Sequence, residues 1–171
     1  GVPGIIGYRG DDITAATGVD PQTLLGEGTI FVNVIPNLTN ANNTSGGVGE
    51  FESPYSVVAL QGSGTADAPN IVISINTKCM SGIQVSYNLK DIDGTTDNAI
   101  QQVALQYRIG NTGNFTNVPA GYVADATTGP SLATLVTAVS ATLPAACDNQ
   151  DLVQIRIITS NAVGNDEWVG V

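Results

Sequence analysis

The sequence contains no histidine and only two cysteines among its 171 residues. The lack of histidine removes the commonest general base, the usual zinc ligand, and the base of Ser-His and Cys-His nucleophile pairs. Two cysteines alone do not supply the four ligands of a structural zinc site. Carboxylate-only chemistry such as glycoside hydrolysis stays open on paper, but a single Trp and no evident aromatic-lined cleft speak against it. We therefore expect a protein that is not an enzyme.

Basic residues are scarce as well, with five Lys and Arg against fifteen Asp and Glu and a formal net charge of -10. Such a surface repels phosphate backbones, and the few bases are scattered along the chain. We predict no binding to nucleic acid. Long apolar runs are also missing: the longest, such as IFVNVI, are far shorter than the ~20 residues of a membrane-spanning helix. No membrane insertion is expected.

What the chain does have is alternation of apolar and polar residues between turn residues, which is typical of half-buried strands. Its hydrophobic content of 42% fits one domain with a real core. We predict an all-β fold, an antiparallel, jelly-roll-like β-sandwich formed by residues 29–171, preceded by an extended Gly- and Pro-rich segment, 1–28. The predicted strands are Thr29–Ile35, Tyr55–Leu60, Ile71–Asn76, Ile83–Lys90, Ala99–Ile109, Asn114–Val118, Leu135–Leu143, Leu152–Thr159 and Trp168–Val171.

Several shorter features punctuate these strands. Asp20–Leu25 predicts one helical turn, with Asp20 as N-cap and proline at the first position. Residues 37–50 form a polar stretch that predicts a long connection and a candidate binding loop. Gly110–Gly113 predicts a hairpin turn. Residues 127–143 also fit helical spacing, but their Val, Thr and Ser content favours a strand.

The segment Val85–Gly110 contains two alternating runs around an acid-rich turn, and it predicts a β-hairpin. Four side chains of this turn offer the hard oxygen ligands that calcium prefers. They are Asp91, Asp93, Asp97 and Asn98. The spacing does not match an EF-hand loop, and Asp-Gly is also a good solvated turn, so both a calcium site and a plain turn stay open. Asp166 and Glu167 could add ligands if they fold against the turn.

The two cysteines, Cys79 and Cys147, each precede a predicted strand. We predict that they form a disulfide, which the chain-entropy model credits with roughly 4 kcal/mol for a loop of this length. The alternative is two unpaired, buried small hydrophobes. A disulfide indicates an extracellular or cell-surface protein, because the cytosol is reducing.

Carbohydrate binding is a further possibility, because sugars stack on flat aromatic faces. Trp168 and the five tyrosines raise it, although Tyr87 and Tyr107 lie on the apolar sides of their strands and are expected in the core. Tyr55 and Tyr122 lie in or near loops and are the more available candidates. The ligand-binding residues themselves stay unknown from the sequence.

Three segments resemble a known family. The pieces YNLKDIDG, VALQYRIGNTGNFTNVP and SNAVGNDEWVGV, within residues 70–171, are similar to a jelly-roll-like module of large secreted bacterial proteins, often found beside extracellular endonuclease or phosphoesterase domains. The resemblance implies a non-catalytic accessory domain. In that family the last strand runs on into Asp-Asp-Ile, whereas this chain stops at Val171; Asp11–Ile13 could supply an equivalent piece. The cysteine pair is not part of the family's pattern.

Two functions follow from this reading. The first is an extracellular structural or adhesive subunit that assembles with other copies, with the N-terminal segment reaching a neighbour's sheet edge. The second is an accessory module that binds calcium or carbohydrate beside the neighbouring domains of a secreted nuclease-like protein. The chain begins at Gly1 instead of Met, which is expected of a processed product or of a piece of something larger.

Overall fold

The computed structural model describes residues 3–13, 15–28, 35–52, 56–92, 99–127 and 135–171. Within these ranges it contains eleven strands and three short 3₁₀ turns, Pro21–Thr23, Pro119–Gly121 and Ala145–Cys147. The strands are β1 (Ile5–Tyr8), β2 (Ile35–Leu38), β3 (Gly47–Phe51), β4 (Val57–Gln61), β5 (Asn70–Ile75), β6 (Gln84–Asp91), β7 (Val103–Ile109), β8 (Thr116–Asn117), β9 (Val136–Thr142), β10 (Val153–Thr159) and β11 (Val169–Gly170).

The strands form two sheets that face each other. One has five strands in the order β1-β5-β10-β7-β8, and the other has six in the order β2-β3-β4-β11-β6-β9. All pairs are antiparallel except β2 with β3. Apolar side chains from both inner faces meet in one core cluster, with Leu89 from the six-stranded sheet and Leu105 and Ile155 from the five-stranded sheet. The predicted all-β sandwich is confirmed.

The strand positions follow the period-two pattern closely. Seven of the predicted segments coincide with β4 to β10, including the strand preferred over a helix at Leu135–Leu143. The last predicted strand contains β11. The first, Thr29–Ile35, lies outside the described residues except for Ile35, which begins β2. The connection predicted over residues 37–50 is present but shorter, residues 39–46, because β2 ends at Leu38 and β3 starts at Gly47.

The hairpin predicted over Val85–Gly110 is wrong. β6 pairs with β9 and β11 in one sheet, whereas β7 pairs with β10 and β8 in the other. β6 and β7 each have one apolar side. The apolar side of β6 and that of β7 face the same core from opposite sheets. Alternation fixes which residues point inward, but it leaves the hydrogen-bonded neighbour undetermined. The chain therefore passes from one sheet to the other between β6 and β7.

Two predicted turns are confirmed. Gly110 and Gly113 both have positive φ, 81° and 85°, and join the antiparallel pair β7 and β8. In the first 3₁₀ turn, Asp20 is the N-cap, its Oδ1 accepts from the Gln22 N–H at 2.8 Å, and Pro21 follows it. This turn could be predicted from the sequence because the N-cap side chain and the proline act within the turn itself and do not depend on tertiary contacts.

The N-terminal segment packs on its own chain. β1 extends the five-stranded sheet by pairing with β5. Gly10 allows the crossing that follows, because a Cβ there would meet the Ala68 carbonyl oxygen at 2.0 Å. Residues 15–28, which we call the strap, then cover the outer face of the sheet, where Leu24 packs against Ala104 and Ile158. As a result β10 is buried on both faces.

Candidate functional site

The acid-rich turn begins where β6 ends. Asp91, its first predicted calcium ligand, is 1% exposed, and its N–H donates to the Leu135 carbonyl at 3.1 Å. The other predicted ligands, Asp93, Asp97 and Asn98, lie outside the described residues. Among the described residues, no group of three or more His, Cys, Asp or Glu side chains could hold a metal. Calcium binding stays a prediction.

The second acidic pair, Asp166 and Glu167, closely precedes the residues that pair with the end of β6. β11 pairs with β6 so that Val169 is opposite Asp91, and the Ile92 N–H donates to the Trp168 carbonyl at 3.0 Å. Glu167 is buried. Burial raises the pKa of Asp166 to about 6, and hydrogen bonds from the N–H groups of Ala162 and of Asp166 itself act in the opposite direction. The pairing of β11 with β6 therefore places Asp166 and Glu167 near the end of β6 that carries Asp91.

The predicted disulfide is not present in the structure. Both cysteines are free thiols, Cys79 exposed and Cys147 buried. The Cys147 side chain belongs to the main core cluster, and burial, together with the nearby Asp148, raises its thiol pKa. The two cysteines do lie at the same end of the sandwich, since the Cys79 N–H donates to Asn149 Oδ1 at 3.0 Å.

The aromatic side chains are largely withdrawn from solvent. Trp168 is fully buried, stacks edge-on against Phe51 at 5.2 Å between ring centroids, and donates from Nε1 to the Asn43 carbonyl. A sugar cannot stack on it. Tyr87 and Tyr107 pack against the core, as expected. Tyr122 is half-buried and donates to Gln102 Oε1 at 2.6 Å, while Tyr55 lies outside the described residues.

Beneath the strap lies a pair of arginines that the sequence reasoning missed. Arg156 on β10 and Arg108 on β7 both sit over the Phe115 ring, with guanidinium carbons 3.9 Å and 4.4 Å from its centroid. Cation–π contacts of this kind are strongest away from water. Burial, and next the Arg108 charge, lower the pKa of Arg156 to about 9, while Glu27 acts in the opposite direction.

The strap supplies the acceptors that these charges need. Arg156 donates from NH1 to the Gly26 carbonyl at 2.7 Å and from NH2 to the Leu24 carbonyl. Arg108 NH1 forms an ion pair with Glu27 Oε1 at 3.0 Å. Buried charge is tolerated only when it is paired and hydrogen-bonded. With the strap in place, this cluster holds the chain together and is closed to outside ligands.

Amide side chains extend the same network across the sheet. Gln106 Oε1 accepts from Arg156 Nε at 2.7 Å, and Gln154 Oε1 accepts from Arg108 Nε at 2.8 Å. Gln106 also donates to Asn117 Oδ1 and to the Pro21 carbonyl. The outer face of the five-stranded sheet is therefore a buried polar layer instead of a solvated one.

The six-stranded sheet is different at β6 and β9, where the outer side chains are exposed. We call this surface the polar face: Gln84, Ser86 and Asn88 on β6 lie opposite Thr142, Ser140 and Ala138 on β9. Ser86 Oγ and Ser140 Oγ are 3.1 Å apart and share a hydrogen bond. Its side chains carry amide and hydroxyl groups without a carboxylate. The face can both donate and accept hydrogen bonds.

Comparisons with known proteins support the fold. No protein-family model matches the chain, and no curated protein matches it in sequence. Among solved structures it is similar to a non-crystalline cellulose-specific carbohydrate-binding module, CBM28, with a TM-score of 0.51 and 11% identity over 82% of this chain and 96% of that one. At this identity the likeness supports the sandwich fold alone.

A second similarity is weaker. The enzymatically active domain of tailspike protein 4 from bacteriophage CBA120 matches with a TM-score of 0.38 and 10% identity, over 70% of this chain and 15% of that one. A likeness of this size carries no argument about activity. In the ranges that the structure describes, no helix has the length and apolar character that a membrane span requires.

Proposed function

We propose that this domain is a non-catalytic extracellular binding module that attaches to neutral polysaccharide through the polar face of β6 and β9. The observation that carries the proposal is the exposure of amide and hydroxyl side chains in successive rows of the surface formed by β6 and β9. An adhesive role and a carbohydrate-binding role coincide in such a module.

The chemistry of the polar face suits sugar hydroxyls, which both donate and accept. The Gln84 and Asn88 amides offer both functions, and so do the hydroxyls of Ser140 and Thr142. Side chains on one face of a strand recur every ~6.8 Å, so the three rows of the face span ~14 Å from first to last. A linear polysaccharide lying along the strands would contact several rows at once.

Charge narrows the choice of polysaccharide. The chain carries a formal net charge of -10, so an acidic polysaccharide would approach against the protein's field. The polar face itself holds no acidic side chain. Neutral polysaccharide is therefore the ligand class that the surface favours.

Affinity should be modest, because none of the aromatic side chains that the structure describes is fully exposed for stacking. Hydrogen bonds to solvated groups replace bonds to water and leave a small net gain. We expect a Kd of roughly 1 mM for a short oligosaccharide, about -4 kcal/mol. The similarity to the cellulose-specific module supports cello-oligosaccharides as the first probe.

The test is calorimetric or NMR titration of the full chain with cellohexaose, and with pectin fragments as the acidic contrast. We expect the Gln84→Ala/Asn88→Ala variant to bind at least fivefold more weakly than the wild type. Thr116→Ala, an exposed hydroxyl on β8 of the other sheet, is the matched control and should leave affinity unchanged. Equal loss in both variants, or tighter binding to the acidic fragments, would contradict the proposal.

A further inference from the structure

The four edge strands formed by the described residues differ in length and regularity. β1 and β8 end one sheet, and β2 and β9 end the other. β1 and β2 have four residues and β8 has two, and β2 also contains Pro36 and a shift of register. β9 has seven residues in continuous register with β6. Short edges, prolines and a covering loop are the usual protections against edge pairing; β9 is long and has no proline, and among the described residues the Pro119–Gly121 turn lies beside it.

The register shows which backbone groups of β9 are left over. Leu143 N–H donates to the Ile83 carbonyl, and the Leu135 carbonyl accepts from Asp91 N–H. Alternate residues of an antiparallel pair bond to the partner, so odd-numbered residues of β9 face β6. The N–H and C=O groups of four residues point to the free edge: Val136, Ala138, Ser140 and Thr142. The neighbouring turn Pro119–Gly121 makes no backbone hydrogen bond to them within the described ranges.

The edge also lacks charge in a highly charged molecule. No Asp, Glu, Lys or Arg occurs between Asp125 and Asp148, although the whole chain carries a net charge of -10. A charged side chain on the edge is the commonest device against self-pairing, and β9 does not use it. Two copies that approach each other through β9 therefore bring together an uncharged part of each chain, where electrostatic repulsion between the two acidic molecules is weakest. This favours a second copy of the chain as the occupant of the edge.

We propose that β9 pairs antiparallel with β9 of a second copy about a two-fold axis at Val139. Ala138 then lies opposite Ser140 of the partner subunit, and Val136 lies opposite Thr142 of the partner subunit. Each of these pairs exchanges two backbone hydrogen bonds, because their N–H and C=O groups already point to the edge. Small and β-branched neutral side chains suit such cross-strand positions. The two six-stranded sheets become one continuous sheet.

This assembly uses the edge of β9 and leaves the polar face open, so it stands independently of carbohydrate binding. A single strand edge buries less than the ~1,600 Å² of a standard interface, which implies a Kd of roughly 10–100 μM. Salt should strengthen the dimer. The net charges repel each other through solvent, and raising ionic strength shortens the Debye length from ~10 Å at 0.1 M to ~3 Å at 1 M.

The experiment is sedimentation equilibrium of the full chain between about 5 μM and 500 μM, at low and high NaCl, a range set by that expected Kd. We expect a monomer–dimer equilibrium that is stronger in high salt. Ala138→Lys/Ser140→Lys should weaken it at least tenfold, since like charges meet across the axis. Ala138→Lys/Ser140→Glu should restore it, because each introduced lysine then meets the partner's introduced glutamate.

Asn88→Lys is the matched control, since Asn88 lies beside Ala138 in the same row but one strand away from the edge. It should dimerise like the wild type. Circular dichroism confirms that each variant keeps its strands. A chain that stays monomeric at every concentration and salt, or two double variants that behave alike, would overturn the proposal. For the wild-type chain, a dimer that forms without cellohexaose binding, or cellohexaose binding by a chain that stays monomeric, separates this inference from the proposed function.

Discussion

The outer face of the five-stranded sheet and the polar face of the six-stranded sheet both carry polar side chains on alternating strand positions. Gln106 and Arg156 on the first are fully buried beneath the strap, whereas Ser86 and Ser140 on the second are exposed. The first face satisfies its hydrogen bonds within the chain, so it contributes to folding. The second satisfies them with water, so it is available to a ligand.

A polar strand face therefore indicates nothing about function until it is known whether another segment of the chain covers it. On β10 and β7 the covering is a segment of 14 residues, with only one 3₁₀ turn, that offers carbonyl groups from Pro21, Leu24 and Gly26. On β6 and β9 no such segment covers the exposed residues in the part of the chain that the structure describes. The predictions below test this contrast, beginning with the largest effect.

Arg156→Met should destabilise the fold by about 3–4 kcal/mol, because it leaves the Leu24 and Gly26 carbonyls and Gln106 without their buried donor. Urea unfolding measures the change. Ser140→Ala, on the polar face, is the matched control and should cost less than ~0.5 kcal/mol. Similar losses for both variants would mean that the two faces do not differ as described.

Asp166→Asn should stabilise the protein at pH 7 to 8 by about 1 kcal/mol and have no effect near pH 4. The folded pKa of Asp166, about 6, lies above its ordinary value of 3.8, so the folded state binds the proton more tightly. Its contribution to stability is full below pH 3.8 and is lost as pH rises through 6. Asparagine keeps the oxygen that accepts from the Ala162 N–H.

Unfolding of the wild type and of Asp166→Asn at several pH values measures this difference. A half-buried carboxylate, for which the described residues supply no paired base, is thereby contrasted with the paired arginines under the strap. A stability difference that is constant between pH 4 and 8 would contradict the pKa assignment.

Glu27→Gln should cost about 0.5–1 kcal/mol at low salt and less at high salt, because Glu27 is partly exposed while its partner Arg108 is buried. The ion pair of Lys78 with Asp151 is exposed on both sides and is the control. Asp151→Asn should change the free energy of unfolding by less than ~0.3 kcal/mol. The ratio of the two changes in the free energy of unfolding, for Glu27→Gln and for Asp151→Asn, measures how well the strap shields the arginine network from solvent.

Much of the fold could be predicted from the sequence, because inward residues such as Leu89 and Ile155 recur with period two. The partner of each strand could not, since β6 and β7 present equivalent apolar sides to the same core. The arginine cluster was missed for a related reason: Gln154 and Arg156 alternate with core residues and resemble a solvated side. The available signal was the choice of Arg in a central, Ile-rich strand, since Arg is the base best suited to burial.

Of all the sequence predictions, the calcium ligands proposed in the acid-rich turn are tested least by the structure. Only Asp91 lies within the described residues, and it is buried at the end of β6. The polar face was not predicted, because Ser86, Asn88 and Ser140 are ordinary residues whose pairing depends on the contact between β6 and β9. That contact joins strands about fifty residues apart, beyond the range of local pattern.

A residue-by-residue NMR map of amide shifts during titration with cellohexaose distinguishes binding at the polar face from binding at the covered face. We predict shifts that saturate together in β6 and β9, with the amides of β10, β7 and the strap unmoved. Shifts confined to the strap and the strands beneath it, with β6 and β9 unchanged, would show that the covered face is the one that binds.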